Sequence, residues 1–458
     1  MTLIYNALSG AIAAQAALNT TSQNLANLQT KGYTRQGVLL TAIAPGVGTT
    51  SAGSGVQVSS LLRFSDSYKT QQLWRANTEV GAYVEPNRYF LQMEQIMGDD
   101  KTSLSSGIDK FFAALNGLGV DPTSSPLRQA VVTSADALSQ GFNSIYAVTR
   151  NQQISVSQQR DAALPQFNTL LKNIATLNQR IQTAAAVDTN TSALIDERDQ
   201  QIDQLAQFAA IEVLEQPDGS RSISLKSGQP LVNGRDAGTL FMDTSSGAPV
   251  LTLNYGNTKF AIDDTKMGGQ LGGLGNYEKN TLAPLQKSIS EMAEQLAKKI
   301  NDQLLAGSDG VNPTGTGLPL FSFNPTGSGG ILSIVPGFKA SDLALSSTGA
   351  PGDSGNLQLL IDIKNQPITL TSIGSVQLGD ADTQLVGKLG VDSAQNKSLL
   401  KTAGTIRQQA EDDWAATSSV NKDEEAIDLV QFQQMYNANM RVITVAGQLF
   451  DATMAMFG

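Results

Sequence analysis

The side chains that could carry chemistry in this chain are carboxylates, lysines, arginines and tyrosines, because its 458 residues include neither histidine nor cysteine. That removes thiol nucleophiles, disulfides, cysteine or histidine zinc sites and every Ser-His or Cys-His pair. Asp99-Asp100, Asp263-Asp264, Asp423-Glu424-Glu425 and the acids around Arg198 in LIDERDQQI are the dense groupings. Neither aspartate pair has calcium-loop spacing, and both read as solvated loop carboxylates. Arg198, flanked by Asp196, Glu197 and Asp199, reads as part of a surface ion-pair network. GGQLGGLGN (268–276) lacks the Lys-Ser/Thr of a phosphate loop and a βαβ setting, so it reads as a flexible junction. Trp74 and Trp414 are too isolated to form a stacking platform. The expectation is no catalytic residue, no cofactor and no metal.

The third acidic run is better explained by the helix it opens. In SSVNKDEEAIDL, Asn421 can cap while Glu424, at the third helical position, completes a capping-box pattern. Asp423 and Glu425 complement the helix dipole. Adjacent carboxylates on a helix point in different directions, which argues against a metal or acid/base cluster.

Beyond that cap runs a seam of alternating 3 and 4 steps: Leu429, Phe432, Tyr436, Asn439, Ile443, Ala446, Phe450, Thr453, Phe457. A second apolar row, including Met435, Val442, Val445 and Leu449, lies roughly 100° around the same helix. At the other end, Ile4, Ala7, Ala11, Ala14, Leu18, Thr21 and Leu25 form a matching heptad seam, mostly of alanine. Small side chains bury little area each, so this helix gains little by folding alone but permits close approach. One small helix cannot cover two apolar rows, so the remainder must face other helices or other copies. Asn439 in the seam would set register.

Between the ends, 37–63 shows extended segments around a Gly/Ser/Thr loop, and 66–208 is mainly helical. Pro126 opens a helix, and Pro165 should start or kink another whose seam is Phe167, Leu170, Ile174, Leu177 and Ile181. Short alternating runs fill 211–262, with Pro-Asp-Gly as a hairpin turn. Helix returns at 276–305, and 306–350 is Gly/Pro/Ser-rich. The expected fold is mainly α with a small inserted β domain, in a discontinuous multi-domain chain. Terminal helices pair as a coiled coil (1–63 plus 419–458), a helical-bundle second layer takes 64–210, 268–305 and 352–418, and a β-rich outer domain takes 211–267 plus 306–351.

A net charge of −10 with only 16% charged residues is the wrong sign for a phosphate backbone, so no nucleic-acid partner is expected. No stretch reaches about 18 apolar residues, which predicts no membrane insertion. The first basic residue is Lys31, which does not fit a general secretory signal.

ALSGAIAAQAALNTTSQNLANLQTKGYTRQ resembles the N-terminus of the bacterial flagellar rod, hook and hook-associated family. The matching positions are Asn24, Leu25, Asn27, Thr30, Gly32, Tyr33, Arg35 and Gln36. VNKDEEAIDLVQFQQMYNANMRVITVAGQLFDATMAMF resembles the family's terminal helix. Within the family, GYTRQ, GSGVQVSSLLRFSDSYKTQQLWRA and LIDERDQQIDQLAQFAAIEVLEQPDGSRSISLKSGQPLV favour the hook–filament junction branch over a hook or distal-rod subunit. Gln29 and Lys31 depart from the commonest turn residues, and the short 306–350 segment implies a reduced outer region. The resemblance implies flagellar type III export, an extracellular place at the distal hook and a ring of about 11 copies. It further implies contacts with the hook protein and a second junction protein, and a cytoplasmic export chaperone for the C-terminal helix. The termini are expected to stay disordered until neighbours cover them. The alternatives of another class are a secreted carboxylate-dependent hydrolase and a surface adhesin. Gly32 is expected to end the first helix in a left-handed conformation, with Tyr33 pinning the emerging chain.

Overall fold

The computed structural model describes residues 2–44, 53–99, 103–187, 189–245, 247, 249–309, 317–325, 330–350 and 352–457. It is mainly helical with small antiparallel sheets. The helices are α1 (Thr2–Ala26), α2 (Ser67–Met97), α3 (Leu104–Leu118), α4 (Ser125–Ala185), α5 (Ser192–Phe208), α6 (Gly269–Tyr277), α7 (Ala283–Ala306), α8 (Gly355–Asp362), α9 (Ala381–Ser418) and α10 (Lys422–Phe457). The strands are β1 (Gln36–Ala42), β2 (Val56–Arg63), β3 (Ile211–Glu215), β4 (Arg221–Leu225), β5 (Pro230–Asn233), β6 (Asp236–Ala237), β7 (Thr239–Asp243), β8 (Val250–Tyr255), β9 (Thr258–Ala261), β10 (Phe321–Phe323), β11 (Leu332–Ile334), β12 (Pro367–Leu370) and β13 (Gly374–Gln377). They pair as the hairpins β1-β2, β10-β11 and β12-β13 and the meanders β3-β4-β5-β6 and β7-β8-β9.

The chain divides into two compact units, one of Met1–Val80, Gln166–Ile262 and Ala403–Gly458, the other of Gly81–Pro165 and Asp263–Thr402. This differs from the three parts expected, since 211–262 and 306–351 fall in different units and form no common β domain. The reason lies in which helix each sheet packs on. In the first unit, Asn168 of α4 exchanges both backbone hydrogen bonds with Leu240 of β7, at 2.8 Å each. One face of α4 further on, Asn178 does the same with Arg221 of β4 at 2.9 and 3.0 Å. In the second unit, α7 holds β10 through Asn301 and Phe321 (2.8 and 2.9 Å) and β12 through Gln295 and Thr369 (2.7 and 3.0 Å).

The seam of Phe167, Leu170, Ile174, Leu177 and Ile181 is buried as its spacing predicts. Pro165 does not start the helix that carries this seam: it lies inside α4, which runs from Ser125 to Ala185. The second unit's core gathers the amphipathic face of α3 (Leu104, Ile108, Phe111, Phe112, Leu115, Leu118) and α7 (Leu285, Ile289, Met292, Leu296, Ile300, Leu304).

The glycines of 268–276 make a helix, α6, and not a flexible junction. Pro86 in α2 has no N–H, which frees the carbonyl of Ala82 four residues earlier. Gly273 packs directly on that carbonyl, and a Cβ there would lie 2.2 Å from Ala82 O. Asp264 is likewise no solvated loop carboxylate: it is buried between Arg160 (3.1 Å) and Lys279 (2.6 Å). Asp100 lies outside the described residues.

Gly273→Ala should therefore lower the unfolding free energy by about 1–3 kcal/mol, since the clash is with backbone. Gly387→Ala, on an exposed face of α9 with nothing within 4 Å, should raise it by up to about 1 kcal/mol. Urea unfolding followed by circular dichroism checks both; equal effects would contradict the close-approach reading.

Candidate functional site

At the start of α10, Asn421 Oδ1 accepts from Asp423 N at 3.0 Å, so Asn421 is the cap. Glu424 does not complete the expected box. Its carboxylate takes the Asn421 side-chain amide at 3.3 Å and the Arg35 guanidinium at 2.7 Å, a stronger, charged partner. Asp423 stays exposed. Glu425 turns inward and its side chain is 1% exposed. It sits four residues before Leu429, in the same stripe as the half-buried Phe432 and Tyr436.

The α1 helix ends at Ala26, six residues before Gly32. Gly32 is thus not the helix cap expected. It takes φ +79° in a turn closed by Tyr33 N on Thr30 O at 3.2 Å, where the third position needs a left-handed backbone. Asn27 and Thr30 stay local: Asn27 Nδ2 donates to Gln23 O at 2.9 Å and Thr30 Oγ1 to Asn27 Oδ1 at 3.2 Å. The turn throws the chain back along α1, where Asn24 waits.

Asn24 is 1% exposed and uses its whole hydrogen-bonding capacity. Its Nδ2 donates to Gln36 O (2.8 Å) and Glu425 Oε1 (3.0 Å), and its Oδ1 accepts from Tyr33 OH (2.9 Å) and Gln36 N (3.0 Å). Arg35 closes the ring. It pairs with Glu425 through Nε at 2.8 Å, reaches Asp428 at 3.5 Å and lies over the Phe64 ring at 5.3 Å. Its backbone N–H donates to Ser418 O at 2.8 Å, tying the turn to the end of α9. Thr34 N donates to Asp196 at 3.1 Å, and Arg63 spans Asp196 (2.7 Å) and Asp199 (3.1 Å). Burial, reinforced by the Asp196 and Glu425 charges, pushes the Tyr33 phenol up to about 12, so it stays a hydrogen-bond donor.

The LIDERDQQI cluster is not a surface network. Arg198 is 1% exposed and donates to Asn178 Oδ1 (3.2 Å) and Gly219 O (2.7 Å), and burial pulls its guanidinium down to about 10. Because Asp196 sits at the turn, α5 anchors both the Tyr-x-Arg-Gln segment and the first strands of the β3–β6 meander.

α1 and α10 run antiparallel. Gly10 and Asn24 face Asn439 and Glu425, the same separation in opposite directions. Asn439 lies so close over Gly10 that a Cβ there would meet its Oδ1 at 2.6 Å. On α10 the predicted seam is turned inward: Leu429, Phe432, Tyr436, Asn439 and Ile443 are half-buried and Ala446 is buried. Phe450, at 62% exposed, and Thr453 depart from it and face solvent. On this register the start of α1 falls opposite Gly447, so Phe450 projects past it; the Phe457 side chain lies outside the described residues.

The α1 seam needs more correction. Ala7, Ala11, Ala14 and Thr21 are buried, but Ile4 is exposed and Leu18 and Leu25 are only half-buried. Ala13, Ala17 and Asn24 are buried instead. The cause is that α1 contacts α10 and also the β1-β2 hairpin, where Val56 N donates to Ser9 Oγ at 3.1 Å. Small residues therefore occupy both flanks. The large ones, Leu3, Tyr5, Leu8 and Ile12, are left exposed, as are Val442, Val445, Leu449, Met454 and Met456 on α10. Glu424, Glu425 and Asp428 pair with Arg35, and Asp196 and Asp199 with Arg63; among the described residues no three acids gather to hold a metal. The arrangement is a buried polar knot below a two-helix stem with bare apolar faces, suited to assembly.

Sequence comparison places these parts. Residues 90–321 match the family described as "Flagellar hook-associated protein FlgK helical domain", residues 4–34 match "Flagella basal body rod protein", and residues 415–456 match "Flagellar basal body rod FlgEFG protein C-terminal". The chain is 27% identical to flagellar hook-associated protein 1 of Escherichia coli K12 over 542 aligned positions, covering 98% of each. It is also 27% identical to the protein of that name from Bacillus subtilis 168, over 96% of this chain and 95% of the relative. The first alignment is longer than this chain, so that relative carries segments with no counterpart here. The fold resembles the flagellar hook junction protein FlgK of Burkholderia pseudomallei, with a TM-score of 0.51 at 25% identity, over 55% of this chain and 46% of that one.

Asn24→Ala would leave Gln36, Tyr33 and Glu425 each short of a buried partner and should cost about 3–5 kcal/mol. Asn27→Ala, on the open side of the turn, should cost about 1 kcal/mol or less. Both tryptophans lie in the knot's own unit, so urea unfolding followed by their fluorescence reads that unit alone. Equal costs would contradict the knot.

Proposed function

The chain belongs to the flagellar hook-associated protein FlgK family, and from that premise we propose that it is a structural, non-catalytic subunit of the bacterial flagellum that assembles at the distal end of the hook as the hook–filament junction. The observation that carries this reading is the unsatisfied stem. Two helices are locked together at one end by buried polar groups, while Val445, Leu449, Phe450 and Met456 on α10 stay open to solvent. Exposed apolar rows of this length mark an interaction surface. Copies of the same chain, arranged as a closed ring of about 11, would cover them with equivalent helices. The hook protein on one side and a second junction protein on the other are the remaining neighbours. A cytoplasmic chaperone would shield the α10 row before export through the flagellar type III apparatus, after which the subunit is extracellular. No described helix is long and apolar enough to cross a membrane.

The terminal segments alone would suit any axial subunit, since their matches are to rod proteins. The helical domain at 90–321 favours the junction.

Deleting the gene should leave hooks without filaments and release flagellin into the medium, seen by electron microscopy and immunoblot. The wild-type gene should restore filaments, with labelled antibody at the distal hook. Leu449→Asp should fold and be exported but fail to restore them. Loss of the hooks, or normal filaments in the deletion strain, would contradict the junction reading.

A further inference from the structure

We propose that a cavity beside the Lys31-Gly32 turn, within the unit that holds the knot, binds an alkylammonium group with Asp203 as its counter-ion. The cavity has a volume of about 80 Å³ and is walled by Leu73, Trp74 and Trp414, with three cations (Lys31, Arg63, Arg407) and three carboxylates (Asp199, Asp203, Glu411) in its polar lining. One water needs about 10–15 Å³ of such space, so the cavity has room for several waters or for a short alkylammonium head.

The charges around the cavity do not balance at one place. Asp199 is held by Arg63 at 3.1 Å and by Arg221. Arg407 donates through Nε to Asn77 Oδ1 at 2.6 Å and pairs with Glu411 at 3.2 Å. With its oxygen committed to Arg407, Asn77 must turn its amide nitrogen to Asp203, and that is the hydrogen bond Asp203 receives. No ion pair reaches Asp203 among the described residues. Burial accordingly raises its pKa, against the hydrogen bond from Asn77 and the charges of Lys31 and Arg407.

A half-buried carboxylate without a counter-ion beside an indole selects the class of ligand. An anion is repelled, and a metal ion would require several oxygen ligands. A guanidinium is best held by a free two-oxygen carboxylate edge, and Asn77 already occupies part of this one. A compact ammonium requires one acceptor and gains from an aromatic face. Trp74 already carries Arg221 at 5.4 Å, which leaves Trp414 for the ligand. Lys31 is exposed on the rim and competes from the same chain.

The test uses the full chain and the fluorescence of its two tryptophans, both of which line the cavity. Propylammonium chloride is titrated against sodium chloride at equal ionic strength. The wild type should respond saturably, Asp203→Asn about tenfold more weakly or not at all, and Lys31→Ala more tightly. An equal response to both salts, or an unchanged response in Asp203→Asn and Lys31→Ala alike, overturns the proposal. Carbodiimide coupling of the assembled protein, read by mass spectrometry, then identifies the source. A bond from Asp203 to a lysine of another chain assigns a protein ligand. Amine binding with no such bond assigns a free amine. Coupling to the chain's own Lys31 with no amine response overturns the proposal, because the cavity is then filled from within. None of these readouts depends on where in the flagellum the chain works.

Discussion

A carboxamide on a helix presents a donor and an acceptor side by side, which is what one extended residue needs to satisfy both of its backbone groups. Asn24 offers this pair to Gln36, and the rest of the stem depends on it. The device recurs: Asn168 holds Leu240, Asn178 holds Arg221, Asn301 holds Phe321 and Gln295 holds Thr369, while Asn143 holds Leu332 at 2.8 and 3.0 Å. Two- to four-stranded sheets are marginal by themselves and need a helix to rest on. Each clamp supplies that attachment and fixes register, because sliding by one residue breaks both bonds. In a chain with 16% charged residues, amides take much of the work that ion pairs do elsewhere.

The knot differs from the other clamps in also recruiting charge. Asn24 spends its spare hydrogen on Glu425, and Glu425 holds Arg35. Breaking a buried pair by removing one partner is costly, so the base of the stem resists opening. Moving away from it, the contacts become alanine against half-buried aromatics, and beyond Ala446 the α10 side chains described are mostly exposed. Stability therefore falls along the stem from the knot towards the free ends. A subunit built this way keeps its helices paired at one end while leaving apolar surface for a neighbour.

Much of this was legible in the residues. The 3-4 spacing on α10 coincides with the half-buried face from Leu429 to Ala446 but not with Phe450 and Thr453, and the β1 and β2 strands, the Pro-Asp-Gly turn and the α4 seam fall where their patterns put them. Position alone marks Glu425 as a dipole partner, although it continues the seam one step before Leu429. A carboxylate in an apolar stripe is a signal of a buried cation, here Arg35. On α1 alanines occupy many of the positions on both flanks, so periodicity does not separate a helix covered on one side from one covered on two. Arg198 and the glycines of α6 differ from their local appearance for another reason. Charge clusters and glycine runs look solvent-facing locally, and only distant partners, Gly219 O and Ala82 O, show them buried. The clamps were illegible for the same reason, since an asparagine on a helix does not reveal which strand it will meet.

Hydrogen–deuterium exchange on the free chain, followed segment by segment, tests the central claim most directly. Amides of 20–26, 33–36 and 425–436 should exchange slowly, with protection falling steadily towards 3–8 and 446–456, and the outer segments should become protected only on assembly. Uniform protection along α1 and α10 in the free chain, or fast exchange at Asn24 and Glu425, would contradict a stem held at its base and completed by its neighbours.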